Sequence, residues 1–226
     1  MGKLLKFTFN FYFLDLILQF NNILVLAPHC DDGEFGAGGS INKLTKNNKK
    51  VTYIAFSTAI ESVPEGFPKN ILEKEVVEAT GEIGIKKENL IVHNYRVRHL
   101  TESRQEILED LIKIKDKNKF DLVLMPSLSD IHQDHITIAN EGLRAFKNIS
   151  IFSYELLWNN HGFNSTCFSS LDYDDVANKI LSISKYKSQN NKDYSNPDFI
   201  KAHALTRGIQ SNTKYAEAFE VVRLFI

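Results

Sequence analysis

Two short clusters of histidine and aspartate contain the side chains of this chain that are best suited to chemistry. The first lies in APHCDDGEF, residues 27–35, and the second lies in IHQDH, residues 131–135. Neighbouring carboxylates such as Asp31 and Asp32 repel each other, and a cation bound beside them removes that cost. Histidine is a common partner of such a cation. The two clusters therefore predict one metal site.

Three side chains form the predicted ligand set for zinc: His29, Asp32 and His135. Three protein ligands of the histidine and carboxylate types, with a fourth position open to water, are typical of a catalytic zinc site. Iron, cobalt or manganese could bind the same ligands, because metal selection also depends on availability. Cys30 is interpreted as a space-filling neighbour of this set.

The remaining members of the clusters are assigned to catalysis. Asp31 is predicted to be the general base that accepts a proton from the attacking water. His132 is predicted to hydrogen-bond the substrate carbonyl oxygen or to protonate the leaving nitrogen, and Asp134 is predicted to orient His132. Such an assembly would support the metal-assisted hydrolysis of an amide. Taken singly, either aspartate could instead be a helix cap.

These clusters must be positioned by the elements before them, and both follow short apolar runs. Strands are predicted to begin at residues 23, 51, 89, 121 and 149, with helices near 37–47, 69–83, 102–118 and 133–147 between them. Two further helices are predicted near 174–188 and 197–208, and Thr101 is the predicted cap of the third helix. Strands that alternate with amphipathic helices predict an α/β fold with a mostly parallel sheet.

The sheet order predicts that the two clusters meet. If the strand order is the common 3-2-1-4-5, the first and fourth strands are neighbours and their carboxyl ends open into one crevice. Gly36, Gly38 and Gly39 do not have the spacing of a dinucleotide fingerprint. They are predicted to allow a close approach of the first helix to the sheet and a tight turn beneath the metal.

Composition limits the classes of function. The chain has 226 residues, of which 43% are hydrophobic, and a formal net charge of −1, which gives no general attraction to nucleic acid. Two cysteines fit a reducing compartment, so the cytoplasm is the expected location. In the first twenty residues, the alternation of Phe7, Phe9, Phe11 and Phe13 favours a strand or a packed extension. Asn10 and Asp15 interrupt the apolar run, so no stable membrane insertion is expected.

The two clusters resemble the HPDD and HxDH signatures of the PIG-L/LmbE family of zinc-dependent N-deacetylases. The resemblance extends over residues 23–226, including IFSYE, YKSQ, TRGIQ and YAEAFEVVR, and residues 1–22 are an N-terminal extension outside it. It implies one Rossmann-like domain of three layers and the same metal ligands and base as above. It further implies an acetamido-sugar substrate, with a preference for the bacterial sugar-processing branch, and a possible homo-oligomer. Cys30 stands where the family usually has proline. Gly33 stands where an acidic residue often follows the paired aspartates, and the acidic Glu34 comes one place later.

Five further side chains are candidates for substrate contacts. Arginine suits planar anions such as phosphate or carboxylate, and aromatic rings can stack on a sugar. The candidates are Arg96, Arg98, Arg207, Trp158 and His161. Two other functions are kept open: an amidase that acts on a related sugar-thiol conjugate, and a metal-containing protein that binds an acetamido sugar without turnover.

Overall fold

A seven-stranded sheet forms the centre of the molecule, with the strand order β3-β2-β1-β4-β5-β7-β6. The computed structural model describes residues 16–225. The strands are β1 (Asn22–His29), β2 (Lys50–Ser57), β3 (Leu90–Val92), β4 (Leu122–Pro126), β5 (Ser150–Tyr154), β6 (Cys167–Leu171) and β7 (Tyr215–Arg223). The first five strands are mutually parallel, while β7 is antiparallel to β5 and to β6. The predicted α/β fold with the order 3-2-1-4-5 is confirmed.

Helices cover both faces of this sheet. They are α1 (Asp32–Lys46), α2 (Ile71–Glu82), α3 (Arg104–Lys117), α4 (Gln133–Ala145), α5 (Tyr173–Ile183) and α6 (Pro197–Gln210). In β1 the side chains of Ile23 and Val25 belong to the core beneath α1 and α2, whereas Leu24 and Leu26 belong to the core beneath α3 and α4. This alternation explains why β1 is apolar throughout, since both of its faces are buried.

Several predicted boundaries are wrong. Helix α1 begins at Asp32 rather than near Ala37, so the glycines lie inside the helix and form no turn beneath the metal. Ser103, not Thr101, occupies the cap position of α3, and Thr101 hydrogen-bonds Thr137 instead. Strand β6 was not predicted, because it is an edge strand whose sequence, CFSSL, is half polar.

The close approach of α1 to the sheet is made possible by glycine. A Cβ atom on Gly33 would lie 2.4 Å from the Tyr53 ring, and one on Gly36 would lie 2.2 Å from the Tyr154 ring. Any larger residue would push the helix away from the strands. The glycine cluster therefore sets the distance between α1 and the sheet.

The N-terminal segment joins the core before β1. Ile17 and Phe20, which belong to the predicted extension 1–22, are buried among the residues under α1 and α2. The alternating phenylalanines at positions 7, 9, 11 and 13 lie outside the described residues. Within residues 16–225, no helix has the length and apolar character needed to cross a bilayer.

Candidate metal centre and substrate pocket

The carboxyl ends of β1 and β4 bring the two clusters together. Strand β1 ends at His29 and α1 begins at Asp32, so the first cluster spans a tight strand-to-helix junction. Strand β4 pairs with β1 in parallel and is followed by α4, which begins at Gln133. Residues about a hundred positions apart in sequence therefore face the same crevice, as the sheet order predicts.

Three potential ligand atoms form a compact triangle. His29 Nδ1 lies 3.1 Å from Asp32 Oδ2, and His135 Nε2 lies 3.3 Å from Asp32 Oδ2 and 3.3 Å from His29 Nδ1. In a tetrahedral zinc site with bonds of about 2.0–2.1 Å, neighbouring ligand atoms are separated by about 3.3–3.4 Å. The donor set and its spacing therefore fit a divalent metal.

Two outer carboxylates hydrogen-bond the two candidate ligand histidines. Asp134 Oδ2 lies 3.0 Å from His29 Nε2, and Asp130 Oδ2 lies 2.8 Å from His135 Nδ1. A carboxylate on the far nitrogen fixes the tautomer and leaves the near nitrogen for the metal. Asp130 was not predicted, although it precedes the second cluster directly in sequence.

The position of Asp134 corrects the predicted pairing with His132. The Asp134 carboxylate contacts His29, while only its backbone amide reaches His132, at 3.1 Å from Nδ1. The reason is that α4 begins between these two residues, so the Asp134 side chain turns inward and His132 becomes the helix N-cap. The Asp134 carboxylate therefore supports His29, a candidate metal ligand, rather than His132.

The electrostatics of the triangle favour positive charge at its centre. Burial lowers the pKa of His29 and of His135. The Asp32 carboxylate and the hydrogen bonds together outweigh burial and raise the two pKa values to about 9 and about 10. Burial raises the pKa of Asp32, yet the two histidines hold it well below its usual range. A divalent cation at the centre of the triangle would supply the positive charge that the Asp32 carboxylate favours.

His132 has a different protonation state from its neighbours. Burial, together with the charges of His135 and His29, lowers its pKa. Its Nδ1 accepts the hydrogen bond from the Asp134 amide, so in the neutral ring Nε2 carries the proton. His132 therefore presents an N–H donor, and its ligand atom lies within 4.8 Å of those of His29 and His135.

Asp31 stands beside the triangle without joining it. It occupies the N-cap position of α1 but makes no side-chain capping hydrogen bond, and it lines the cavity above the triangle of His29, Asp32 and His135. Burial, and then the neighbouring Asp32 charge, raise the pKa of Asp31 to about 6. A carboxylate with a pKa near neutrality is well suited to accept and return a proton.

A cradle of three buried polar side chains, Tyr53, Tyr186 and Glu34, holds the turn between β1 and α1 in place. The hydroxyls of Tyr53 and Tyr186 donate hydrogen bonds to the Cys30 carbonyl at 2.9 and 2.7 Å, and both also contact the buried Glu34 carboxyl group. Burial raises the pKa of Glu34 to about 8. Tyr186 belongs to the YKSQ stretch, so the cradle gives that stretch a structural role near the site.

The crevice opens into a cavity of about 360 Å³ that contains some of the predicted substrate residues and excludes others. Arg98 and Trp158 line it, together with Asp31 and His132. Arg96 pairs with Glu61 at the surface, and Arg207 donates to Glu155 from α6, so neither reaches the cavity. His161 is exposed and also lies outside it.

Trp158, which was predicted to stack on a sugar, belongs to an aromatic wall whose other two members, Tyr194 and Phe35, were not predicted. Trp158 stacks on Tyr194 with a centroid separation of 4.1 Å and an interplanar angle of 13°, and Phe35 meets both rings edge-on. Tyr194 lies in a turn far from both clusters in sequence, with no motif around it. The raised pKa of Tyr194, about 12 and due first to burial and then to Asp31 and Asp32, keeps its hydroxyl a neutral donor.

A family model and several solved structures match this arrangement. The family model described as PIG-L, GlcNAc-PI de-N-acetylase, matches residues 24–146, which include both clusters. The chain belongs to the PIG-L family. Its predicted resemblance is thereby confirmed.

Solved structures with this fold include several deacetylases. N,N'-diacetylchitobiose deacetylase from Pyrococcus horikoshii has a TM-score of 0.77 at 23% identity, covering 94% of this chain and 87% of its own. The zinc-inhibited form of teicoplanin deacetylase Orf2 has a TM-score of 0.72 at 15% identity, covering 88% and 97%.

The same fold also carries a different reaction. GalB, the 4-carboxy-2-hydroxymuconate hydratase of Pseudomonas putida KT2440, has a TM-score of 0.71 at 16% identity, covering 91% of this chain and 98% of its own. The activity of this PIG-L family member must therefore be argued from its own site.

Proposed function

We propose that the protein is a metal-dependent hydrolase that removes the N-acetyl group from an N-acetylated amino sugar and releases acetate. The observation that carries this proposal is the triangle of His29, Asp32 and His135, with an uncommitted carboxylate and an N–H donor beside it. The PIG-L membership supports it. The proposal includes a cytoplasmic location.

Each residue has a defined task in the proposed reaction. His29, Asp32 and His135 would hold zinc or another divalent transition metal, which supplies Lewis acidity to the amide carbonyl and to the attacking water. Asp31 accepts a proton from that water as the new carbon–oxygen bond forms. The Nε2–H of His132 donates a hydrogen bond to the carbonyl oxygen as negative charge develops on it.

The second half of the reaction returns the proton. When the carbon–nitrogen bond breaks, Asp31 gives its proton to the leaving nitrogen, so the products are acetate and the free amine of the sugar. Burial raises the pKa of Asp31 above its ordinary value, which suits both steps, since the group must accept the proton first and release it later. Trp158 and Tyr194 provide an apolar wall against which a sugar ring can stack.

Acetate release from a panel of N-acetylhexosamines tests the proposal. The zinc-loaded protein should release acetate from at least one free, nucleotide-linked or glycoconjugate substrate. Asp31→Asn should lower kcat by at least about 100-fold, because general base catalysis contributes about that much. Asp174→Asn, which makes the same change at an exposed helix position, is the matched control.

The outcomes separate the other two functions. Cleavage of an added sugar-thiol conjugate, with its products identified by mass, and no acetate from the N-acetylhexosamines would indicate an amidase on such a conjugate. Tight binding of an acetamido sugar with no product, equally in the native and Asp31→Asn proteins, would indicate a binding protein and would overturn the enzymatic proposal.

A further inference from the structure

Two cationic side chains line the cavity without an acidic partner. In residues 16–225, neither Arg98 nor Lys192 forms an ion pair, and the Arg98 guanidinium contacts only the Ser62 hydroxyl, at 3.3 Å. The other arginines of this range are bound to carboxylates or to backbone carbonyls. They are Arg96, Arg104, Arg144, Arg207 and Arg223. Arg98 is therefore available to a ligand that enters the cavity.

The backbone of Arg98 adds an independent observation. Arg98 has φ of 66°, in the left-handed region that glycine and asparagine adopt more easily than arginine. Its amide donates to Asp134 Oδ2 at 2.6 Å, which holds it in this conformation. Glycine would relieve this strain, so an arginine at this position lowers the stability of the fold relative to glycine. Strain of this kind clusters at functional sites.

Lys192 reaches the same cavity from a well-anchored turn. Before it, Ser188 donates from its amide and its hydroxyl to the buried Glu75 carboxylate, at 3.1 and 2.6 Å. After it, Tyr194 stacks on Trp158. The turn between these anchors places an exposed lysine at the rim, and its ammonium group has no carboxylate within 4.0 Å in the described part of the chain.

We propose that the substrate carries an anionic group, a phosphate or a carboxylate, that binds Arg98 and Lys192 while its acetamido group lies beside Asp31. This inference rests on the proposed function and names its substrate class. Guanidinium groups match the geometry of both anions, and ammonium groups bind them as point charges. The cavity of about 360 Å³ falls within the usual range for small ligands.

Substrate preference provides the test. The zinc-loaded full chain is assayed with N-acetylglucosamine, its 1-phosphate, its 6-phosphate and N-acetylmuramic acid, which carries a carboxylate. At least one anionic sugar should exceed the neutral sugar in kcat/KM by about 10- to 100-fold, the range expected for one or two charge-assisted contacts. The phosphate and carboxylate substrates show which anion is preferred.

Variants assign the preference to the two side chains. Arg98→Gly and Lys192→Ala should each lower the ratio of anionic to neutral kcat/KM by about 10-fold, mainly through KM. Arg96→Ala, which removes a neighbouring arginine outside the cavity, should leave this ratio unchanged. Arg98→Gly should not lower the thermal midpoint, since it relieves a strained backbone. Equal ratios in all proteins, or an equal fall in Arg96→Ala, would overturn the inference.

A binding measurement separates this inference from the proposed function. Calorimetry with the Asp31→Asn protein compares glucosamine with glucosamine 6-phosphate and 1-phosphate, which requires no turnover. If no substrate releases acetate, the proposed function fails, and the calorimetric preference still tests the anion site. If neither phosphate binds more tightly than glucosamine, the anion site is rejected, whether or not acetate is released.

Discussion

At the scale of single residues, outer carboxylates decide what the candidate ligands can do. Asp130 and Asp134 each bind the far nitrogen of one ligand histidine, so the near nitrogens point at Asp32. The sequence predicted the inner set, because both clusters follow strand ends that a parallel sheet brings together. It could not predict which carboxylate faces which ring, because that depends on where α4 begins.

Removal of one outer carboxylate should weaken metal binding. Asp130→Asn replaces an acceptor for His135 Nδ1 with an amide, which should lower zinc affinity by about 10- to 100-fold. Competition with a chromogenic chelator measures this. Asp116→Asn, an exposed change in α3, should have no effect. An unchanged affinity in Asp130→Asn would show that Asp130 does not support a metal ligand.

Metal binding should also release protons. The raised pKa values of His29 and His135, about 9 and about 10, keep both rings protonated at pH 7 in the metal-free protein. A metal must displace these protons, so its affinity should rise with pH up to those values and fall in acid. Calorimetry in buffers of different ionisation enthalpy counts the released protons. A count of zero at pH 7 would contradict the assigned charge state.

At the scale of elements, the packing of α1 against the sheet places the first cluster. Glycines let the helix approach, and the hydroxyls of Tyr53 and Tyr186 fix the turn before it. The sequence suggested this close approach but placed the helix start too late. Tyr194 and Lys192 could not be predicted as cavity residues, because only the folded turn brings them to the site.

A methyl group added to α1 should disturb both stability and the site. Gly36→Ala places Cβ 2.2 Å from the Tyr154 ring, so the helix or the ring must move, at a cost of about 1–3 kcal/mol in the free energy of unfolding. Gly81→Ala in α2 meets nothing within 4 Å and should be neutral or stabilising by up to about 1 kcal/mol. Urea unfolding compares the two, and equal stabilities would refute the packing argument.

At the scale of the whole molecule, the residues after the family match, which ends at residue 146, complete the sheet and its helical cover. Strands β6 and β7 extend the sheet, and α6 is bound to the end of β5 through Glu155, which accepts hydrogen bonds from His203 and Arg207 at 2.9 and 3.0 Å. Burial raises the pKa of Glu155, but His203 and Arg207 together outweigh burial and lower this pKa below its ordinary value.

This contact should stabilise the fold in a pH-dependent way. Since the folded pKa is depressed, the stabilisation is present above the ordinary value near 4.5 and is lost as the pH falls through the folded value. Glu155→Gln should cost about 1–3 kcal/mol at pH 7 and less in acid. Glu82→Gln, which breaks a partly exposed pair with Lys185, should cost less than about 1 kcal/mol. Thermal unfolding across pH measures both, and a pH-independent loss in Glu155→Gln would contradict the charge argument.

The Asp134 carboxylate links the candidate metal ligand His29 directly to the backbone of Arg98. One of its oxygens accepts from both the His29 ring and the Arg98 amide. A substrate anion that draws Arg98 and a cation that draws His29 therefore act on a shared atom. Binding free energies obey reciprocity, so any factor by which the cation strengthens substrate binding is also the factor by which the substrate retains the cation. Where this coupling is favourable, the proposed enzyme loses its metal least readily while substrate is bound.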